Sequence, residues 1–402
     1  MITDQPDSLG VDGDKTLGRQ SRVWIGIVQV IGAWFFGRVV VTARNPAALL
    51  NFAPKHWYFW DAFNYQYISS HGRNFGVCGS PGFPRFVLGG AHWCGYAGWL
   101  PGFSFAIRLA SPPGINESWV SDIIPSLFLL AALAIVWMGW TRGVSPWRSF
   151  VVLLLISVFP GAVYNYAPYP TSLALLGILV ATFAAVRNRP LFIAIGIAVA
   201  VVCYSTAVFA ALGLIAAITF AQWDSGLKAM AKRAAWGLAG FCSLAALAVH
   251  DQIVFHHWNA YSLIQSEAHP NFELPGIQTF DLVFRRNTVP QLIIGHTGAI
   301  VMAVQAVLAI VLIAAACIIG FRWWWRMGRS PMDLYPAAIG IGVLLYVVSS
   351  GTGSVWHRGV ILAAPSALAF RHVPAWLTAV VVCVVAVVTA LLSAYYFKNS
   401  LA

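Results

Sequence analysis

The feature that most constrains this chain is its first apolar segment, Val23 to Thr42, which carries a single charge, Arg38. About 20 apolar residues are what a helix needs to span the hydrocarbon of a bilayer. The pattern then recurs to the end of the chain, with apolar runs near 122–141, 147–164, 171–187, 190–206, 207–223, 233–250, 291–321, 334–350, 358–371 and 375–396. Charged residues make up 9% of the 402 and mean hydropathy is +0.74, whereas a soluble domain is roughly 25% charged. Most of this apolar surface must therefore face lipid. Backbone polar groups in lipid have to be satisfied within a helix or a closed barrel, and runs of this length predict helices. The expected fold is an all-α polytopic integral membrane protein, a bundle of about eleven transmembrane helices.

The chain divides by composition. Residues 1–22 form a polar tail with Asp4, Asp7, Asp12 and Asp14 beside Lys15, Arg19 and Arg22. The apolar run that follows is long for a signal-peptide core and has no evident small-residue cleavage site, so 23–43 reads as an uncleaved first span. A long connecting segment occupies 44–121, further spans 122–250, a second long segment 251–290, and the last spans 291–402. The split between 190–206 and 207–223 rests only on Tyr204-Ser205-Thr206.

The net charge of +11 would suggest nucleic acid in a soluble protein. Here the membrane explains it, because Lys and Arg collect in cytoplasmic loops, and no nucleic-acid partner is expected. Placing the N-terminus inside puts Arg22, Arg142, Arg148, Arg187, Arg189, Lys228, Lys232, Arg233, Arg322, Arg326, Arg329 and Arg371 on one side. Asp61, Glu117, Asp122, Asp251, Glu267, Glu273 and Asp281 then fall on the other. Chemistry that needs a carboxylate has its candidates on the extracytoplasmic face, and a bacterial plasma membrane is the expected location.

The first long segment is too aromatic and too poor in charge for a disordered loop. Its stretch from Ala97 to Leu109 fits a helix lying in the interface. It also holds the sequence His56-Trp57-Tyr58-Phe59-Trp60-Asp61-Ala62-Phe63-Asn64-Tyr65. Trp and Tyr favour the membrane–water boundary, so Asp61 is expected at headgroup depth. A carboxylate there can take a proton from a hydroxyl, bind a cation or orient a sugar; an aromatic belt with an incidental acid is the plainer alternative. Cys78 and Cys94 lie in the same segment. In an oxidising compartment they can pair and close a loop worth ~3 kcal/mol in the chain-entropy model, or remain free. Cys203, Cys242, Cys317 and Cys383 fall in helices as packing residues. The ten His residues show no zinc spacing, and no HExxH, CxxC, Walker loop or GxSxG occurs. A nucleotide site or a metalloprotease thus has no support, and no cofactor is required, although Asp61 leaves a divalent metal open.

The block Trp60-Asp61-Ala62-Phe63-Asn64-Tyr65-Gln66-Tyr67-Ile68-Ser69-Ser70-His71-Gly72 resembles the Trp-Asp, Tyr, Ile, Gly pattern in the first luminal loop of the PIG-V-like (glycosylphosphatidylinositol mannosyltransferase II-like) family. Pro160-Gly161-Ala162, then Ala167-Pro168-Tyr169-Pro170-Thr171-Ser172-Leu173, is similar to the family's proline and Ala-Pro-Tyr-x-Glu-Ser-Leu stretch. Arg358 followed by Pro365 is similar to its late Arg-Tyr…Phe-Pro segment. The resemblance covers about 23–372, and only the Trp-Asp block is fairly specific. Four departures stand out. Thr171 replaces the family's Glu, and Arg73 replaces a Tyr. Gly98-Trp99-Leu100-Pro101-Gly102-Phe103 degrades a Phe-Phe-Pro-Leu-Tyr-Pro stretch, and no Arg lies near Tyr204-Ser205-Thr206.

The resemblance implies a GT-C-like bundle. It also implies a membrane glycosyltransferase, of the mannosyl type, moving a sugar from a polyprenyl-phosphate donor to a lipid or glycan acceptor among membrane lipids. Asp61 is the expected catalytic base, with inversion at the sugar. Trp60, Tyr65, Arg38, Tyr169, His357 and Arg358 are the expected substrate-binding residues, with Arg358 and His357 beside the leaving phosphate. For Arg358 the alternative is snorkelling from a helix start. Arg38 is costly inside a span, by ~2.5–3.5 kcal/mol on insertion scales, and so is a functional candidate or a snorkelling residue. Tyr65 and Tyr169 either line a sugar site or anchor the interface. The altered positions point to a branch with its own acceptor. A flippase of lipid-linked glycans and a non-catalytic membrane subunit are the competing classes.

Overall fold

The structure is a computed structural model that describes residues 19–59, 61–80, 92–268, 289–326, 330–349 and 358–398. Trp60 and His357, both expected at the site, lie outside the described residues.

The architecture is all-α. Among the described residues, five helices are long and apolar enough to cross a membrane: Ser21–Thr42, Glu117–Thr141, Leu227–Phe255, Val304–Arg326 and Ala375–Phe397. Six shorter apolar helices pack among them, Pro146–Ser157, Thr171–Val186, Pro190–Cys203, Thr206–Phe220, Pro331–Val347 and Val360–His372. We label α1 (Arg19–Thr42), α2 (Ala62–His71), α3 (Gly102–Ala110), α4 (Glu117–Val136), α5 (Pro146–Ser157), α6 (Val163–Tyr166), α7 (Thr171–Val186), α8 (Pro190–Cys203), α9 (Thr206–Phe220), α10 (Leu227–Leu238), α11 (Cys242–Phe255), α12 (Ala260–Ala268), α13 (Val289–Arg326), α14 (Pro331–Ser349) and α15 (Ala375–Phe397). Strands β1 (Gly76–Val77) and β2 (Trp93–Cys94) form one short antiparallel pair.

Long apolar sequences become distinct helices here through close backbone contact. Gly177 of α7 and Gly196 of α8 face each other, and a Cβ added to either would lie 2.6 Å from the other's carbonyl oxygen. Gly213 of α9 and Gly342 of α14 make the same kind of approach, where an added Cβ would lie 2.3 Å from Ala338 O and 2.2 Å from Phe209 O. Small residues at such crossings are how helices associate where lipid tails supply no hydrophobic drive.

The segment predicted as an ordinary span over 358–371 differs in kind. Val360–His372 is a 3₁₀ helix of 13 residues, buried along its whole length from Val360 to Arg371. At about 2.0 Å rise per residue it covers ~26 Å, close to the hydrocarbon depth an α-helix needs 20 residues to cross. Its small residues, among them Ala363, Ala364, Ser366 and Ala367, let α5, α13 and α14 close around it. This places Arg358 just ahead of the buried 3₁₀ helix.

The described parts of the first long segment carry short elements of their own. Pro54 starts a 3₁₀ turn, and α2 begins directly after Asp61. Of the stretch Ala97 to Leu109, read as a helix, Tyr96–Gly98 is a 3₁₀ turn and the helix is α3, Gly102–Ala110, burying Phe103, Ser104 and Ile107 while Phe105 and Leu109 stay exposed. Cys78 and Cys94 form a disulfide across the β1–β2 pair, with Cα atoms 5.0 Å apart. Cys203 and Cys317 are buried free thiols, whereas Cys242 and Cys383 are exposed.

Candidate functional site

Asp61 occupies the N-cap position of α2 but makes no capping bond to the helix backbone. Its carboxylate is used elsewhere. Oδ2 accepts from Arg358 Nη1, and Oδ1 accepts from Asn64 Nδ2 at 3.3 Å. The side chains of Asp61 and Arg358 retain 28% and 17% exposure, so the pair is shielded yet reachable. The start of α2 adds a favourable field for a negative group. Residues 297 positions apart in sequence are thereby joined in one charge pair.

Beneath the pair lies a wall of tyrosines. Tyr164 and Tyr169 meet edge to face at 4.9 Å, Tyr169 and Tyr396 at 6.2 Å, and Tyr65 and Tyr169 at 6.4 Å. Edge-to-face packing is the arrangement aromatic quadrupoles prefer. The hydroxyls are directed by the first segment's backbone: Tyr169 donates to Phe59 O at 3.1 Å, and Tyr396 donates to Trp57 O at 2.7 Å. These bonds fix the stretch 57–59 and with it the position of Asp61. Tyr204, at the end of α8, completes the surround, with Asp61 and Arg358 among its electrostatic neighbours. Burial, with the Asp61 charge second, pushes the Tyr65 phenol well above its usual range, and it stays a neutral hydroxyl at physiological pH.

The expected site residues therefore separate. Asp61, Arg358, Tyr65 and Tyr169 come together. Tyr164, Tyr204 and Tyr396 belong with them, although sequence reasoning did not select these three. Only Tyr204 carried a signal, as the marker of the α8–α9 break. Tyr396 was hidden in the apolar pattern of the last helix.

Arg38 is placed differently. It is fully buried, and its guanidinium donates to Leu49 O at 2.6 Å, Ala48 O at 3.1 Å and Ser126 Oγ at 3.3 Å. Phe52 and Trp57 cover its faces at 4.0 and 4.6 Å. It does not snorkel and does not face Asp61. It ties the chain leaving α1 back onto the bundle, upstream of Trp57.

Further contacts hold the segment. Ser69 of α2 donates to Glu117 Oε2 at 2.5 Å, and Gln66 donates to Ser118 Oγ, docking α2 on the start of α4. Arg73, the position where the resembled family has Tyr, pairs with Asp251 of α11 and donates to Ala97 O at 2.7 Å. Both side chains are buried, at 4% and 2% exposure. Thr171, in place of the family's Glu, is also buried and donates to Tyr164 O at 2.6 Å. Neither position presents a charge at the Asp61–Arg358 pair.

Among the described residues, no three His, Cys, Asp or Glu side chains converge as metal ligands. The carboxylate of Asp61 already faces a guanidinium. No protein-family model matches the chain, and no curated protein matches it.

Proposed function

We propose that the protein is a membrane glycosyltransferase of GT-C type that takes a sugar, mannose by resemblance, from a polyprenyl-phosphate donor and gives it to a lipid or glycan acceptor. The observation that carries the reading is the Asp61–Arg358 pair at a partly exposed position, backed by neutral tyrosines. The full arrangement proposed has about eleven spans, the N-terminus inside and the Asp61 end on the extracytoplasmic face.

The chemistry follows from the groups present. In the ion pair Arg358 holds the Asp61 oxygen that a hydroxyl would need. A donor phosphate brought to the mouth of the 3₁₀ helix competes for that guanidinium, since Arg binds phosphate and carboxylate alike. Drawing Arg358 onto the phosphate frees Asp61 Oδ2. The acceptor hydroxyl then attacks the anomeric carbon while its proton passes to Asp61. The carbon–oxygen bond to the phosphate breaks, and the electron pair leaves on the phosphate beside Arg358. One base opposite one leaving group gives inversion, as in inverting glycosidases. Tyr65 and Tyr169 are buried behind the pair and hold its position, with the Tyr169 hydroxyl spent on Phe59 O.

The order implied is donor first, then acceptor. In vitro transfer with a panel of polyprenyl-phosphate sugars tests the reading. Product with one donor sugar and none with a nucleotide sugar supports it. Absence of transfer with every donor, together with movement of lipid-linked glycan across a vesicle membrane, replaces it with the flippase. Absence of both leaves a non-catalytic subunit.

A further inference from the structure

We propose that Asp122 is a proton-binding site: its carboxyl carries a proton in the folded protein, and that proton keeps Arg38 on the backbone of the segment that leads to Asp61. The inference does not rest on the transferase reading.

Asp122 lies in the second turn of α4 and is 1% exposed. Neither Oδ1 nor Oδ2 has a hydrogen-bond partner. The polar side chains around it on α4 are committed. Asn116 Oδ1 accepts from Ser118 N at 2.8 Å, Glu117 accepts from Ser69, and Ser118 accepts from Gln66. The Ser121 and Tyr58 hydroxyls share a bond, and Ser126 Oγ accepts from Arg38 Nη1 at 3.3 Å. Only Asp122 of this set is left over.

The other elements packed on α4 supply no partner either. Arg38 of α1 is the charge that acts on Asp122, yet each of its three nitrogens already donates, to Leu49 O, Ala48 O and Ser126 Oγ. Tyr58 and Tyr396 are within electrostatic reach, but their hydroxyls bond Ser121 and Trp57 O. Tyr166 of α6 neighbours Arg38 and donates to Trp34 O. From α2, Tyr65 neighbours Asp61 instead, and Tyr67 and His71 are exposed. Arg108 of α3 is exposed, Arg148 of α5 lies by the far end of α4, and α7 has no titratable side chain.

An ionised carboxylate taken out of water without a hydrogen bond is among the costliest groups a fold can bury, and such a group neutralises instead. Protonated, Asp122 leaves Arg38 to the carbonyls. Ionised, it would compete for the guanidinium. Ser126, which already takes Nη1, is four residues further on and so on the same helix face, about 5–6 Å away at Cβ. Arg38 drawn over that distance leaves Ala48 O and Leu49 O, and residues 48–57 lose their tie to α1. At neutral pH the folded state then holds one more proton at Asp122 than the unfolded chain. The tie therefore weakens as pH rises and not as it falls.

The test uses the full-length protein in detergent. Infrared spectra at about pH 7 should show the C=O stretch of a protonated carboxyl, since exposed acids are ionised there. That band should vanish in Asp122→Asn, and in Asp122→Ser should the amide variant fold poorly. Hydrogen exchange over residues 48–57, corrected for the intrinsic rate and referenced to α7, should rise at least about tenfold between about pH 6 and about pH 10 in the wild type. It should stay level in Asp122→Asn, whose side chain is neutral throughout. Absence of the band in the wild type, or its persistence in both variants, overturns the proton site. No rise in exchange, or an equal rise in Asp122→Asn, overturns the hold on Arg38.

Discussion

Replacing Arg38 by Met keeps most of the side-chain length and removes the guanidinium. The wild-type group donates to two backbone carbonyls and one hydroxyl and lies under two aromatic rings. Hydrogen bonds from a charged donor contribute ~1.5–3 kcal/mol each, so the two carbonyl bonds represent ~3–6 kcal/mol. The ring contacts add ~1–2 kcal/mol in a desolvated setting. Removing an intramembrane charge returns ~2.5–3.5 kcal/mol. The net loss is about 3 kcal/mol, and it is local, because the lost bonds tie residues 48–57 to α1. Opening of that stretch should rise about 10²-fold. Hydrogen exchange over residues 48–57 reads it directly, with α7 and α8 as internal references. Arg38→Lys should recover little, since a point ammonium cannot bridge the two carbonyls. Exchange in Arg38→Met within about threefold of wild type would refute the anchoring role and return Arg38 to the list of substrate-facing residues.

Other expectations follow from the packing. Peptide mass spectrometry without reductant should recover Cys78 linked to Cys94, and replacing both by Ala should cost ~3 kcal/mol locally for a loop of sequence separation 16,. Two free thiols in exported, oxidised protein contradict it. Arg73→Met alone leaves Asp251 buried without its main partner and should cost ~3–5 kcal/mol, while Arg73→Met/Asp251→Leu should recover much of this; equal losses in the two variants, by thermal unfolding, defeat the pairing argument. Gly177→Val forces apart backbones in contact at Gly196 and should lower stability by at least ~1–3 kcal/mol. An unchanged melting temperature in that variant contradicts the close α7–α8 approach.

What the sequence disclosed depended on whether the signal was local. The helical membrane class followed from apolar runs, because lipid leaves the backbone few options. The helix at Gly102–Ala110 was legible because its buried residues recur at helical spacing, as Phe103 and Ile107 do. Asp61 and Arg358 each stood out as charges in apolar surroundings. Their pairing did not, since it closes over 297 residues. Tyr396 reaches Trp57 O across 339 residues, and in sequence it is one more aromatic near a helix end. Arg73 read as a lost Tyr, whereas the physical fact is a gained ion pair with Asp251 at a separation of 178 residues. The 3₁₀ form of Val360–His372 was hidden for another reason. Its composition suits an α-helix equally well, and only the surrounding close-packed helices select the narrower coil.

The central claim is that Asp61 accepts the proton of an attacking hydroxyl and that Arg358 receives the departing phosphate. Its most direct measurement is sugar transfer by Asp61→Asn, alone and combined with Arg358→Ala, using purified protein and a polyprenyl-phosphate sugar. Asn keeps the size of the side chain and its bond to Asn64, and removes the basic oxygen. A positioned base contributes ~10²–10⁴ in rate, so transfer should fall by at least about 10² while helical content and the Cys78–Cys94 link persist. Because both groups act at one site, adding Arg358→Ala should cost much less than the product of the single effects. Full activity in Asp61→Asn would contradict the account, leaving the pair as a structural clasp and the non-catalytic subunit as the better reading.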